Sequence, residues 1–117
     1  MARLALSYTG SVKLTTDLEI DDKPIDDFCR RWRVTELSVF GSAARDALRS
    51  DSDIDLLISF AADAPWSLFD IGQMRGELAE ILGRSVDLVE RSAVEESRNP
   101  FRKRAILRDA RPIYSSG

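Results

Sequence analysis

The sequence predicts one small α+β domain built around a mixed α/β sheet, and three features predict it. Helix-like and strand-like patterns alternate twice along 117 residues. Hydrophobic residues make up 44 % of the chain, enough to fill a single core. The apolar run Asp53–Phe60 (DIDLLISF) has the composition of a central strand covered on both faces. The expected domain is 1–117, with residues 1–11 as a flexible arm.

Each element follows from local pattern. Val12, Leu14, Leu18 and Ile20, with Thr15, Thr16 and Asp17 between them, fit either a short edge strand or an irregular arm. Asp21 and Asp22 before Pro24 mark a helix start. Ile25, Phe28, Cys29 and Trp32 then recur at i, i+3, i+4 and i+7, one apolar face. Cys29 lies on that face and reads as a packed core residue rather than a reactive thiol. Thr35–Phe40 alternates as a strand and stops at Gly41-Ser42. Residues 43–49 favour a short helix and Ser50–Ser52 a turn before the strand Asp53–Phe60. Trp66–Leu82 reads as the longest helix, with Leu68, Ile71, Leu78 and Leu82 on its core face and Gly83 ending it. Ser85–Glu90 is a third strand, and residues 91–97 a helical turn. Asn99-Pro100 caps a helix to about Arg108, with Phe101, Ala105 and Ile106 turned to the core. Arg111–Tyr114 closes the chain as a short strand.

Composition narrows the chemistry. There is no histidine, which removes the usual general base, the usual zinc ligand and any Ser-His-Asp triad. Cys29 is the single cysteine, so no intrachain disulfide forms. Acid–base or metal work falls to carboxylates, which favour Mg2+ or Mn2+. A formal net charge of −3 argues against direct nucleic-acid binding. Met1–Leu6 is too short an apolar run for a signal peptide, and no stretch approaches the ~20 apolar residues a membrane span needs. The expectation is a cytoplasmic protein with no membrane partner.

The informative stretch is Phe40–Phe60: Gly41-Ser42, ten residues, then Asp53-x-Asp55. In a strand, Asp53 and Asp55 face one way, with Cα atoms roughly 6.5–7 Å apart. Such a pair can serve two cations about 3.5–4 Å apart. Two adjacent carboxylates also need a compensating cation or one raised pKa. Gly41-Ser42 sits where a strand meets a helix start, a turn that cradles phosphate with backbone N–H groups. Ser52 is a second candidate phosphate donor. Asp87, among Val86, Leu88 and Val89, is costly in an apolar strand unless paired or metal-bound. Taken singly, each has a plainer alternative: a polar strand edge for Asp53 and Asp55, an N-cap for Ser42, a turn residue in Ser52, a solvent-facing edge position for Asp87.

Together, VFGSAAR, SDSDIDLLI, VDLVE and SRNPFRKRAILRDARPIY resemble the polymerase-β-type nucleotidyltransferase superfamily. More closely, they resemble its minimal nucleotidyltransferases, the MNT partners of HEPN–MNT toxin–antitoxin pairs. The resemblance covers about residues 12–115. It implies a palm-like mixed sheet flanked by helices. It further implies that Asp53, Asp55 and Asp87 bind two Mg2+ ions, and that Asp87 also activates an acceptor hydroxyl. Gly41, Ser42, Arg45 and Ser52 would hold the phosphates of ATP. The implied activity is AMP transfer from ATP to a tyrosine of a HEPN RNase toxin, silencing it, with homo- or hetero-oligomers compatible. Members usually read G-S-x-A-R-G, and Asp46 replaces that last glycine here. Asp46 either burdens the phosphate path or faces solvent.

Two alternatives stay open from sequence. One is a binding antitoxin that occludes its toxin sterically over a vestigial nucleotide site. The other is transfer to a small hydroxylated acceptor such as an aminoglycoside, disfavoured because no second domain is present to hold it. The basic residues Arg98, Arg102, Lys103, Arg104, Arg108 and Arg111 fit a solvated helix face, a partner-docking surface or a phosphate contact. Trp66 and Phe69 fit either packing at a loop–helix junction or the border of a nucleotide base.

Overall fold

The computed structural model describes residues 11–15, 18–41 and 53–116. A hairpin of β1 (Ser11–Thr15) and β2 (Leu18–Asp21) leads into helix α1 (Asp22–Arg31). Strands β3 (Val34–Phe40) and β4 (Ile54–Phe60) follow, then α2 (Leu68–Leu82) and β5 (Val86–Glu90). Helices α3 (Arg91–Glu95) and α4 (Pro100–Asp109) precede the last strand, β6 (Arg111–Ser115). The main sheet has the order β5-β4-β3-β6. β3 is antiparallel to β4 and β6, whereas β5 runs parallel to β4 through the α2 crossover. This is the mixed sheet that the sequence predicted. The expected arm lies outside the described residues except for Ser11, which opens β1.

Alternation along the strands splits the core in two. Leu37, Val39, Ile54, Leu56, Ile58 and Val86 face α1 and α2, meeting Ile25, Phe28, Met74 and Leu78. Phe40 and Leu57 face the other way, against Val94 of α3 and Ile106 of α4. β4 is therefore covered on both faces, as its unbroken apolar run requires. Cys29 is fully buried within the first cluster.

A polar strap closes the α1 side. Trp32 and Trp66 stack edge-to-face, with centroids 5.1 Å apart. The Trp66 indole donates to the Trp32 carbonyl at 2.8 Å. Trp32 donates its own indole N–H to Glu77 on α2 at 3.0 Å, and Arg31 pairs with the same carboxylate. Arg33 takes a left-handed backbone (φ +58°) to turn from α1 into β3. Its carbonyl accepts from Ala61 at 2.9 Å and its guanidinium meets Asp63 at 2.5 Å, so the turn is held from the β4 side. That ion pair holds the Asp63 carboxyl below its usual range.

Three details differ from expectation. α2 begins at Leu68 rather than Trp66, because Ser67 and Asp70 form a reciprocal capping box there. Leu68 consequently lies outside the core face and is 89 % exposed, and its neighbour Phe69 is 91 % exposed. On α4, Ile106 alone is buried, while Phe101 (79 % exposed) and Ala105 point outward. The Asn99 side chain caps α4 as expected, accepting from the N–H groups of Phe101 and Arg102. Gly83 ends α2 in a left-handed conformation (φ +70°). Among the described residues no helix is long and apolar enough to cross a membrane.

Desolvation pushes the Glu77 carboxyl up, but donors from Trp32, Arg31 and Gln73 together outweigh it and hold it below 4.5. A depressed carboxyl stabilises the fold only while ionised. Glu77→Gln should therefore cost about 1–2 kcal/mol at neutral pH. The gap to wild type should close as pH falls from 4.5 through the folded-state value. Denaturant titrations of both proteins at neutral pH and near pH ~3 check this.

Candidate active site

Asp55 and Asp87 are brought together by backbone register, and Asp53 stands just before β4, which begins at Ile54 rather than at Asp53 as expected. β4 and β5 pair in parallel with Asp55 directly beside Asp87 and Ile54 beside Val86. The Ile54 N–H donates to the Ser85 carbonyl at 2.9 Å, fixing that register at its start. Side-by-side residues of a parallel pair point the same way, with strands about 4.8 Å apart. Ile54 and Leu56 are fully buried on the α1–α2 face, so Asp55 and Asp87 belong to the opposite one. Asp53 stands one period before Asp55, at the same strand end, and is exposed. Asp87 is also exposed, on the edge strand β5, and Asp55 is half-buried.

Gly41 binds this row to the end of β3. Phe40 is the register partner of Asp55, so Gly41 follows immediately beyond it. Gly41 has φ +63°, a conformation that costs an L side chain. A Cβ built there would also overlap the Asp55 carboxylate at Oδ2. The left-handed backbone favours glycine, and an added Cβ would also make the Asp55 carboxylate shift. The sequence motif points Gly41 towards phosphate, and the structure adds Asp55 as its neighbour. Nothing local in the sequence signals that contact, because it depends on the β3–β4 register.

Ser42, Arg45, Asp46 and Ser52 lie outside the described residues, as do the short helix expected at 43–49 and the turn at 50–52. Trp66 packs on Trp32 at the loop–helix junction, the plainer of its two readings. Phe69 is exposed and does not pack at that junction. Among the described residues, no group of three or more His, Cys, Asp or Glu side chains converges to enclose a metal ion. What the backbone supplies is Asp55 beside Asp87 on one sheet face, with Asp53 at the same strand end, and Asp53 and Asp87 are open to solvent. An oxygen-only, acidic donor set of this kind fits Mg2+, which is usually held by one or two carboxylates together with waters and substrate phosphates rather than by a protein cage.

Comparison with known proteins now bears on this geometry. Residues 22–113 match the family model described as a nucleotidyltransferase domain. The chain belongs to the nucleotidyltransferase family. It is 33 % identical over 79 residues to a candidate protein adenylyltransferase of Methanocaldococcus jannaschii, covering 68 % of this chain and 76 % of that one. It is 38 % identical over 65 residues to the protein adenylyltransferase MntA of Thermococcus cleftensis, covering 56 % and 64 %. Among solved structures, a candidate minimal nucleotidyltransferase aligns with a TM-score of 0.61 at 32 % identity, covering 77 % of this chain and 86 % of that one. A toxin–antitoxin crystal structure with AMP-PNP aligns at 0.62 with 20 % identity, covering 80 % and 73 %. A complex of tri-AMPylated Shewanella oneidensis HEPN toxin with MNT antitoxin aligns at 0.54 with 19 % identity, covering 80 % and 69 %. These last two share the fold. The resemblance in the sequence motifs and the predicted sheet both stand.

Gly41→Ala should cost about 1–3 kcal/mol in denaturant unfolding, from backbone strain and displacement of Asp55. Gly72→Ala, in α2 where a Cβ meets nothing, should instead gain about 0.5–1 kcal/mol. Equal effects of the two substitutions would contradict the preference for glycine at position 41.

Proposed function

We propose that the chain is a magnesium-dependent protein adenylyltransferase that moves AMP from ATP to a tyrosine hydroxyl of a HEPN RNase toxin, silencing it. The observation that carries this is the register of Asp55 beside Asp87, with Asp53 one period away at the same strand end. Membership of the nucleotidyltransferase family supports the reaction class. The adenylyltransferase names of the relatives support a protein acceptor. The fold neighbours solved with AMP-PNP and with an AMPylated HEPN toxin agree with an ATP donor and a HEPN partner.

In this reading Asp53 and Asp55 would hold Mg2+, with Asp87 contributing to a second ion. Bound there, the cations would neutralise charge developing on the phosphates. The acceptor oxygen attacks the α-phosphorus in line. A P–O bond forms to the acceptor, the bond to the bridging oxygen of the β-phosphate breaks, and pyrophosphate leaves with that electron pair. The hydroxyl proton passes to the Asp87 carboxylate, the remaining base type in a chain without histidine. Gly41 lets the end of β3 approach the carboxylate row, and Ser42, Arg45 and Ser52 are assigned to the β- and γ-phosphates.

Incubation with Mg2+, ATP and the HEPN protein should add the mass of AMP to a toxin tyrosine. Asp55→Asn and Asp87→Asn should each lower that rate about a thousand-fold or more while leaving the fold intact. Intact-mass spectrometry with peptide mapping reads the outcome. Full toxin silencing by an Asp53→Asn/Asp55→Asn variant, with no mass added by wild type, would identify steric occlusion instead.

A further inference from the structure

The Arg98–Arg111 segment carries six basic residues and one acid, in a chain of net charge −3. Lys103 and Arg108 are committed within the fold. Lys103 Nζ donates to the Glu95 carbonyl at 3.0 Å, tying α4 to α3, and Arg108 pairs with Asp109 at 3.3 Å. Arg98, Arg102 and Arg104 are exposed and, among the described residues, enter no ion pair. Phe101 is exposed in the same turn.

A cavity of about 110 Å³ opens between β5, α3 and α4 beside that turn. Val89, Val94 and Ile106 give it an apolar lining, with Ala93, Arg102 and Lys103 also around it. An aliphatic cavity of roughly 150 Å³ accepts a benzene ring, so this one suits a single apolar side chain. Val89 lies two residues beyond Asp87 on the same sheet face, roughly 6.5–7 Å along the strand. An occupant would therefore lie within a side chain's reach of the carboxylate row.

We propose that this cavity and its arginines form the docking subsite for the protein acceptor. The occupant is an acidic segment that seats one apolar side chain against Val89, Val94 and Ile106 and sets its carboxylates on Arg102, at the cavity, and on Arg98 beside Ser97. Charge complementarity selects an acidic partner, and the apolar lining selects protein over polyphosphate or RNA, which bring charge but no aliphatic side chain. The inference rests on the protein-acceptor reading above and adds where that acceptor is gripped.

Two variants test it. Arg98→Glu/Arg102→Glu reverses the rim, and Ala93→Leu fills the cavity from an exposed position. Calorimetric titration with the purified HEPN toxin, without nucleotide, should show each variant binding about ten-fold or more weakly than wild type. Wild-type affinity should also fall with added salt. Mg-ATP affinity should stay within about two-fold and the melting temperature should not move. Toxin affinity unchanged in either variant overturns the subsite. So does joint loss of ATP affinity, which would assign the arginines to the nucleotide, and so does wild-type binding of single-stranded RNA that the rim variant loses. Rim- and cavity-dependent toxin binding without any AMP transfer would sink the enzymatic reading and keep this one. A wild type that does not bind the toxin at all sinks the partner assignment and the subsite with it.

Discussion

The close approach of the Gly41 backbone to the Asp55 carboxylate is the constraint on which the site depends. A strand end can lie against a carboxylate only if no side chain intervenes, and here a Cβ would overlap Oδ2. The left-handed turn at Gly41 (φ +63°) carries the chain away from β3 at that same point. The two demands fall on one residue because Phe40 and Asp55 are register partners. Shift that register by one residue and Asp55 exchanges faces with Ile54, which would bury a carboxylate and expose an isoleucine. Hydrophobic burial on the α1–α2 face therefore fixes where the acids point. Leu56 and Ile58, fully buried, anchor the chemistry without touching it.

β4 changes role along its length. Asp55 and Leu57 share a face, yet Asp55 stays half-open while Leu57 is buried against Phe40, Val94 and Ile106. The helices α3 and α4 cover the far part of that face, at Leu57, and not the part at Asp55. Arg91, at the start of α3, reaches across to Glu36 of β3 at 3.1 Å and helps hold the cover in place. The parallel pairing of β4 with β5 is what aligns two carboxylates from segments 32 residues apart in sequence, Asp55 and Asp87. An antiparallel neighbour joined by a short hairpin could not have brought Asp87 to the same end, so the α2 crossover is part of the site's construction.

Much of this was legible in the sequence because it rests on period and capping. The unbroken apolar run of β4 required two covered faces, and Asn99-Pro100 and Gly83 marked helix ends that the structure has. Strand period placed Asp55 opposite Ile54 and Leu56, whereas Asp53, expected to open the strand, stands just before β4, which begins at Ile54. What was not legible depended on tertiary register or on competing local chemistry. The pairing of Asp55 with Asp87 needed the parallel neighbour. Trp66 fits the helical pattern, but the Ser67–Asp70 capping box starts α2 after it, at Leu68. Once Trp66 is free of the helix it can stack on Trp32, and Leu68 loses its place on the core face. Phe101 and Ala105 were assigned inward by composition, but the helix position of Ile106 decides which side of α4 meets the sheet.

α4 poses a separate physical question, because a helix with one buried residue gains little from packing. Its ends hold it instead. Asn99 satisfies two first-turn N–H groups, and Pro100 supplies a preset φ at N1. Lys103 ties the first turn to α3, and the chain beyond passes directly into β6, where Tyr114 pairs with Leu37. A helix fixed by caps and connections can leave most of its surface uncommitted without losing its place. The guanidinium groups on it are thereby held on a rigid element at little cost to the core, and a binding partner need not order that backbone on arrival. The same economy explains why so basic a segment persists in an acidic chain: its position is determined by its ends, so its exposed residues are free to be chosen for what they meet outside the fold.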